Sequence, residues 1–233
     1  KKLGKPNLFL AVTAGVMDSM VNHYTAGKRL RSNDAYTPEG KAGFRPDRAT
    51  TVYSTILKEL FPDVPVVIGG IEASQRRITH YDYWDDTLHP SILVDTKADF
   101  LTYGMAERAM VALAKGMQEG KKTEELQQIP QIAYLSNDVN APVDIELASH
   151  QACLASKKVQ AQNFKIFEEE SNRYQSDNRL GQVVGNQKVI INPPYPIIST
   201  PELDALYSLP YTRQPHPRYK GKTIPAYDMI KFS

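Results

Sequence analysis

Apolar residues in this chain fall in short unbroken runs separated by segments with helical spacing. "LFLAVT" (Leu8–Thr13), "VPVVI" (Val64–Ile68) and "FLTY" (Phe100–Tyr103) are each too brief for a core helix. They are also too continuous for strands with one wet face, which predicts strands buried on both sides as in a parallel sheet. Between them, Thr51–Leu60 sets Val52, Ile56, Leu57 and Leu60 at helical spacing, and Glu107–Met117 does the same with Met110, Val111, Ala114 and Met117. Asp47 reads as a cap for the first of these helices and Gly120 as the stop after the second. Strand alternating with helix predicts an α/β fold with an open, mainly parallel sheet and flanking helices.

The second half changes character. "QIAYLS" and "VDIELAS" predict strands or extended chain, and "KVIINPPYP" a strand stopped by prolines. Ser149–Tyr174 reads as one long polar helix with Val159, Phe164 and Phe167 on its buried side. "TPELDALYSL" reads as a short helix capped by Thr200 with Pro201 in its first turn, and "IPAYDMIKFS" as an alternating strand that breaks off. The expected division is a partial Rossmann-like α/β region over residues 1–135 and a helical and extended linker over 136–233.

Each predicted strand of the first half runs into a polar loop with glycine: Thr13-Ala14-Gly15, Gly69-Gly70-Ile71-Glu72 and Gly104-Met105-Ala106-Glu107. In an open parallel sheet such loops converge where ligands bind, and glycine lets backbone approach a ligand closely. The segment Thr13–Ala49 is long for a connection within a compact domain. Met17, Met20, Tyr24, Tyr36 and Phe44 give it apolar anchors, which favours an ordered functional loop over a disordered one. Candidate ligand groups are Asp18, Asn22, Tyr24, Arg31 and Asp34 on this loop, with Glu72, Arg76, Arg77, His80 and Tyr81 after the second strand. Guanidinium, imidazole and phenol groups together suit a polar or anionic small molecule. The two loops are expected to meet in one pocket lined by Asp18, Arg31, Arg76 and His80. The plainer alternative is that the Asp and Asn side chains cap and turn the backbone, while Arg76 and Arg77 pair with Asp82, Asp85 or Asp86. No residue is assigned as catalytic, and the five histidines lack the spacing of a zinc-binding helix.

Composition narrows the picture. With 41% hydrophobic residues and a mean hydropathy of −0.43, the chain can build a core. It holds no run near the ~20 apolar residues that span a bilayer, so no membrane partner is expected, and a single thiol, unable to form an internal disulfide, fits the expected cytoplasmic location. Twenty-eight basic against 26 acidic residues leave a net charge of +2, which does not call for nucleic acid. The one cysteine, Cys153, reads as a small buried residue. It excludes a cysteine-built zinc or iron–sulfur site on this chain alone.

Several long runs together resemble one family, the YgiQ-type radical SAM proteins, over their N-terminal region. They are "PNLFLAVTAGVMDSMVNHYTA", "DAYTP", "RPDRAT", "VPVVIGGIEASQRRITHYDYW", "VDTKADFLTYG", "INPPYP", "ELDALYSLPYTRQPHPRY" and "IPAYDMIKFS". The resemblance implies a Rossmann-like, cobalamin-binding-domain-like region, with a strand–helix–strand segment before Lys1. It further implies a CxxxCxxC motif just past Ser233, on a barrel that carries a [4Fe–4S] cluster and S-adenosylmethionine. No cofactor is then expected on this chain itself, whose partners would be that barrel and an unidentified polar or anionic substrate. The resemblance implies substrate or accessory-ligand recognition, with a non-catalytic docking module as the alternative. One departure is Gly104-Met105-Ala106-Glu107, where relatives more often carry a second glycine before the glutamate. No D-x-H-x-x-G cobalamin signature occurs.

Overall fold

A computed structural model describes residues 4–231; Lys1–Leu3, Phe232 and Ser233 lie outside the described residues, and with them the ends of the N- and C-terminal readings. The elements run β1 (Leu10–Thr13), α1 (Ser19–His23), α2 (Ala49–Leu60), β2 (Val66–Gly69), α3 (Gly70–Ser74), β3 (His80–Asp82), β4 (Thr87–His89), α4 (Ile92–Thr96) and β5 (Phe100–Thr102). There follow α5 (Glu107–Gln118), α6 (Thr123–Leu126), β6 (Ile132–Ser136), β7 (Ile145–Leu147), α7 (His150–Ala155), α8 (Lys157–Ser171), β8 (Leu180–Val184), β9 (Gln187–Ile191), α9 (Thr200–Tyr207) and α10 (Pro225–Ile230). They form two compact units, Lys1–Met17 with Arg48–Pro196, and Asp18–Asp47 with Ile197–Ser233.

The first unit is an α/β domain of Rossmann-like character around an open seven-stranded sheet of order β1-β2-β5-β6-β9-β8-β7. The three strands legible as unbroken apolar runs, β1, β2 and β5, pair in parallel, with Leu10 opposite Val66 and Val67 opposite Phe100. Beyond them β6, β9 and β8 add antiparallel neighbours, and β7 returns to a parallel pairing with β8. Successive side chains of a strand point to opposite faces. Val66 and Ile68 accordingly join the cluster with Ile92, Leu93, Leu101 and Val189, while Val67 joins Phe100, Leu113, Ile132 and Ile190 on the other face. Burying each such side chain stabilises the fold by about 1.5–3 kcal/mol. The sheet therefore needs cover on both sides, which the helices supply.

The helices differ from their sequence reading in instructive ways. In α2 the packed face is Ala49, Thr50, Tyr53, Ser54 and Leu57, leaving Ile56 and Leu60 exposed. In α5 the buried positions are Ala109, Leu113 and Gly116, with Met110 and Met117 beside them and Val111 outside. Gly120 stops that helix as expected, its N–H returning to the Met117 carbonyl at 3.1 Å. The long helix over Ser149–Tyr174 is two helices. Ser149 and Ser156 each accept a hydrogen bond at a helix start, from Ala152 N–H and Val159 N–H, and Ser156 is extended. A serine cap in the middle of the run breaks it. Nor does α8 bury Phe164, which is 58% exposed; it buries Asn163, whose amide clamps both backbone groups of Ala148. The boundary expected at 135/136 falls inside β6, and three more strands of the same sheet follow it.

The second unit brings two distant segments together. Within it Glu39 N–H donates to the Thr223 carbonyl and Ala226 N–H to that of Ala35. The terminal alternating run is helical: α10 starts at Pro225, which needs no hydrogen-bond partner for its missing N–H in a first turn. The α9 cap is Ser199, one residue before Thr200, in a reciprocal box with Glu202. No helix among the described residues is long and apolar enough to cross a membrane.

Candidate functional site

At the carboxyl ends of the parallel strands the paired glycines serve packing between strands. A Cβ on Gly69 would meet Thr102 Oγ1 at 2.8 Å, and one on Gly70 would meet Thr13 Oγ1 at 2.5 Å. Gly70 has φ +81°, a conformation open to glycine and strained for other residues. The space expected for a ligand is filled by threonines of the two neighbouring strands. Glu72, one turn further on, is 2% exposed and accepts Thr50 N–H at 2.7 Å. It supplies a carboxylate to the start of α2, where orphan N–H groups favour negative charge. The predicted cap Asp47 does not do this. The N-cap is Arg48, left-handed at φ 50°, with no side-chain cap of its own.

The loop after α3 forms the antiparallel hairpin β3–β4, with His80 opposite His89 and Asp82 opposite Thr87. Its acidic residues have partners other than those foreseen. Arg48 donates to Asp82 at 3.1 Å and also to Asp85, and Tyr81 donates to Asp86 at 2.6 Å. The Asp82 carboxyl, pushed up by burial, is held below its usual range by the Trp84 N–H and Arg48. Asp82, Asp85 and His89 offer donor atoms within 4.8 Å of one another, but the Arg48 guanidinium already bridges the two carboxylates.

Arg76 Nη1 donates to the Glu72 carbonyl at 3.0 Å. Arg77 lies over two rings, 4.1 Å from the Tyr103 centroid and 4.8 Å from that of Phe167. Its buried Nε has no hydrogen-bond partner among the described residues, and no carboxylate lies within ion-pair distance. Burial pulls the guanidinium down to about 10, so it stays charged at neutral pH, and pushes the Tyr103 phenol up to about 12. Tyr103 donates its hydroxyl to the Asn192 carbonyl.

Two cavities adjoin this arginine. A cavity of about 530 Å³ is lined by Arg76, Arg77, His80, Tyr81, Gln160 and Phe164, among others. A second of about 390 Å³ is lined by Arg77, Tyr103, Gln131, Phe167, Asn192 and neighbours. Ser74, Arg77, Phe167 and Ser171 line both. Such volumes suit metabolite-sized ligands. The exposed ring of Phe164, unexplained as core, is wall. Burial lowers His80 to about 4, against a smaller opposing effect of the Ile78 carbonyl that its Nδ1 faces at 3.1 Å. The ring is neutral at physiological pH, with Nδ1–H donating and Nε2 left as an acceptor.

Four candidates, Arg76, Arg77, His80 and Tyr81, therefore share one cavity in the first unit. The others have local roles. Asp18 caps α1, accepting from Met20 N–H at 2.9 Å and Val21 N–H at 3.2 Å. Tyr24 donates to Asp47 at 2.7 Å, and Arg31 Nε binds the Val21 and Tyr24 carbonyls. Asn22 is buried, as is Asp34, whose carboxyl burial would raise; Arg45 at 2.6 Å and Tyr36 N–H hold it low instead. These five belong to the second unit, Glu72 to the first. Sequence reading missed Tyr103, Gln160, Phe167 and Asn192 as site residues. The only signals for two of them were the "LTYG" and "INPPYP" runs.

The family described as Radical SAM N-terminal matches residues 1–233. This chain belongs to that family. A UPF0313 protein of Bacteroides thetaiotaomicron is 56% identical, the match covering all of this chain and 40% of the relative. Those of Porphyromonas gingivalis and a Clostridium botulinum strain are 55% and 44% identical, with 37% and 36% of their lengths covered. The chain thus spans about two-fifths of the length of these relatives. No solved structure matches it.

Proposed function

We propose that this chain is the substrate-recognition region of a radical SAM enzyme, with the cluster and S-adenosylmethionine held elsewhere in the longer protein. The residues here do not fit a cluster. The sole thiol, Cys153, is 1% exposed, pushed up by burial and hydrogen-bonded within 3.1 Å by Asn163. In such a division of labour the cofactor supplies the radical chemistry and the protein positions the substrate. The observation that carries the reading is the 530 Å³ cavity that gathers Arg76, Arg77, His80 and Tyr81. The full-length protein, reconstituted without oxygen, should cleave S-adenosylmethionine reductively, and a small-molecule cell extract should stimulate the cleavage. Arg76→Ala should abolish the stimulation and keep the cluster. Loss of the cluster in that variant would make the region a scaffold.

A docking role is favoured at a different place. Tyr207, Tyr211, Met229 and Ile230 are 60–77% exposed in the second unit, apolar groups suited to contact with the rest of the longer protein. Hydrogen exchange slowed there in the full-length protein relative to this chain would support it, and equal exchange would remove it.

A further inference from the structure

Arg77 is a half-buried cation with no ion pair among the described residues, the nearest opposing charge acting on it being that of Glu168. Rings 4.1 and 4.8 Å away cover its guanidinium. With Nε sealed, a partner meets the terminal N–H groups, which can form two parallel N–H···O bonds with a planar anion. Ser74 and Ser171 line both cavities beside it and bring two hydroxyl donors. Glu168 and Glu170 line the cavities too. Glu170 is occupied by Ser176 at 2.8 Å, Asn178 at 3.0 Å and Arg173 at 3.0 Å, and Glu168 is beyond ion-pair reach of Arg77. Their negative charge disfavours a dianion such as phosphate and tolerates a single carboxylate.

Each cavity wall also includes an amide side chain whose oxygen is unpaired and sealed from solvent. The Gln160 amide donates to the Thr79 carbonyl, and the Asn192 amide to the Gln127 and Ile129 carbonyls. Those bonds fix which side-chain atom is nitrogen, so Gln160 Oε1 and Asn192 Oδ1 are the atoms left without partners.

We infer that Arg77 is the receptor for the carboxylate of a small carboxylic acid. The inference rests on the recognition role proposed above and names the chemical class of its ligand. The test uses the full-length protein in equilibrium dialysis against a defined panel of small hydroxy, amino and dicarboxylic acids, their carboxamides, and inorganic phosphate. At least one acid should bind, and neither its carboxamide nor phosphate should compete. Arg77→Lys keeps the charge and loses the planar fork, so binding should weaken by about tenfold or more. Ser171→Ala, which leaves the stacked arginine in place, should weaken it by a few-fold. The inference is overturned if no acid of the panel binds, if Arg77→Lys binds as the parent does, or if phosphate competes. Extract-stimulated cleavage of S-adenosylmethionine that persists in Arg77→Lys would overturn the carboxylate assignment alone. Absence of stimulation in the parent would take the recognition role down with it.

Discussion

Glu72 and His80 follow the same strand, and the structure uses them in opposite ways. Glu72 turns back to the first turn of α2, where Thr50 N–H would otherwise be a buried donor. Glu72→Ala should therefore cost about 1–3 kcal/mol, read as a lowered urea midpoint with an unchanged m value. A variant as stable as the parent would show that α2 finds another cap. His80 faces the cavity as a neutral ring. In the unfolded chain an imidazole protonates near ~6.5. In the fold it resists until about 4, because burial disfavours its charged form. Between those values the unfolded state binds more protons, so stability present above about 6.5 is lost as the pH falls toward 4. His150, shifted down by the same cause, adds a loss of the same sign. His80→Asn should flatten the decline in that window, as measured by urea unfolding at several pH values; a slope identical to the parent's would mean that His80 titrates normally.

At the scale of elements, the junctions of β2 with β1 and β5 depend on two glycines that fail differently when substituted. Gly69 has an extended backbone, φ −166°, so its only obstacle is Thr102 Oγ1. Gly69→Ala should cost about 1–3 kcal/mol by overpacking, and Thr102→Ala in the same chain should recover most of it. Gly70 meets Thr13 but also sits at φ +81°. Gly70→Ala should be worse, and Thr13→Ala should rescue it only in part, because the left-handed backbone still costs about 1–2 kcal/mol. Thermal unfolding of the two double variants separates the cases. Equal rescue in both would argue that backbone strain at Gly70 is negligible.

The whole molecule is organised by contacts between segments far apart in sequence. Residues 18–47 and 197–233 make one unit, and the sheet of the other runs from β1 to β9 through strands on both sides of the expected boundary. Nothing in this arrangement gathers thiols, since the chain has a single cysteine and an iron–sulfur cluster takes about four ligands, mostly thiolate. Anaerobic reconstitution of this chain followed by iron and sulfide analysis should find neither in stoichiometric amount. A stable cluster on its monomer would contradict the assignment of the cofactor to the rest of the longer protein.

What the sequence by itself determined is what depends on local pattern. The unbroken apolar runs of β2 and β5 are buried on both faces, whereas β1 buries Val12 and leaves Ala11 and Thr13 exposed; the parallel pairing of all three was legible, as were the two main helices. The alternation in "IPAYDMIK" misled, because Pro225 opens a helix as readily as it edges a strand, and Ser156 hid a break inside a helical pattern. The site was legible only as a set of polar residues around one loop. Which of them face a cavity was decided in three dimensions. Arg48, 34 residues from Asp82, takes the acids that seemed destined for Arg76 and Arg77. Tyr103 and Phe167, on a strand end and a helix far along the chain, then hold Arg77 as a cation with an open edge. Charge pairing and ring stacking act through space at a few ångströms, and no spacing along the chain encodes that proximity.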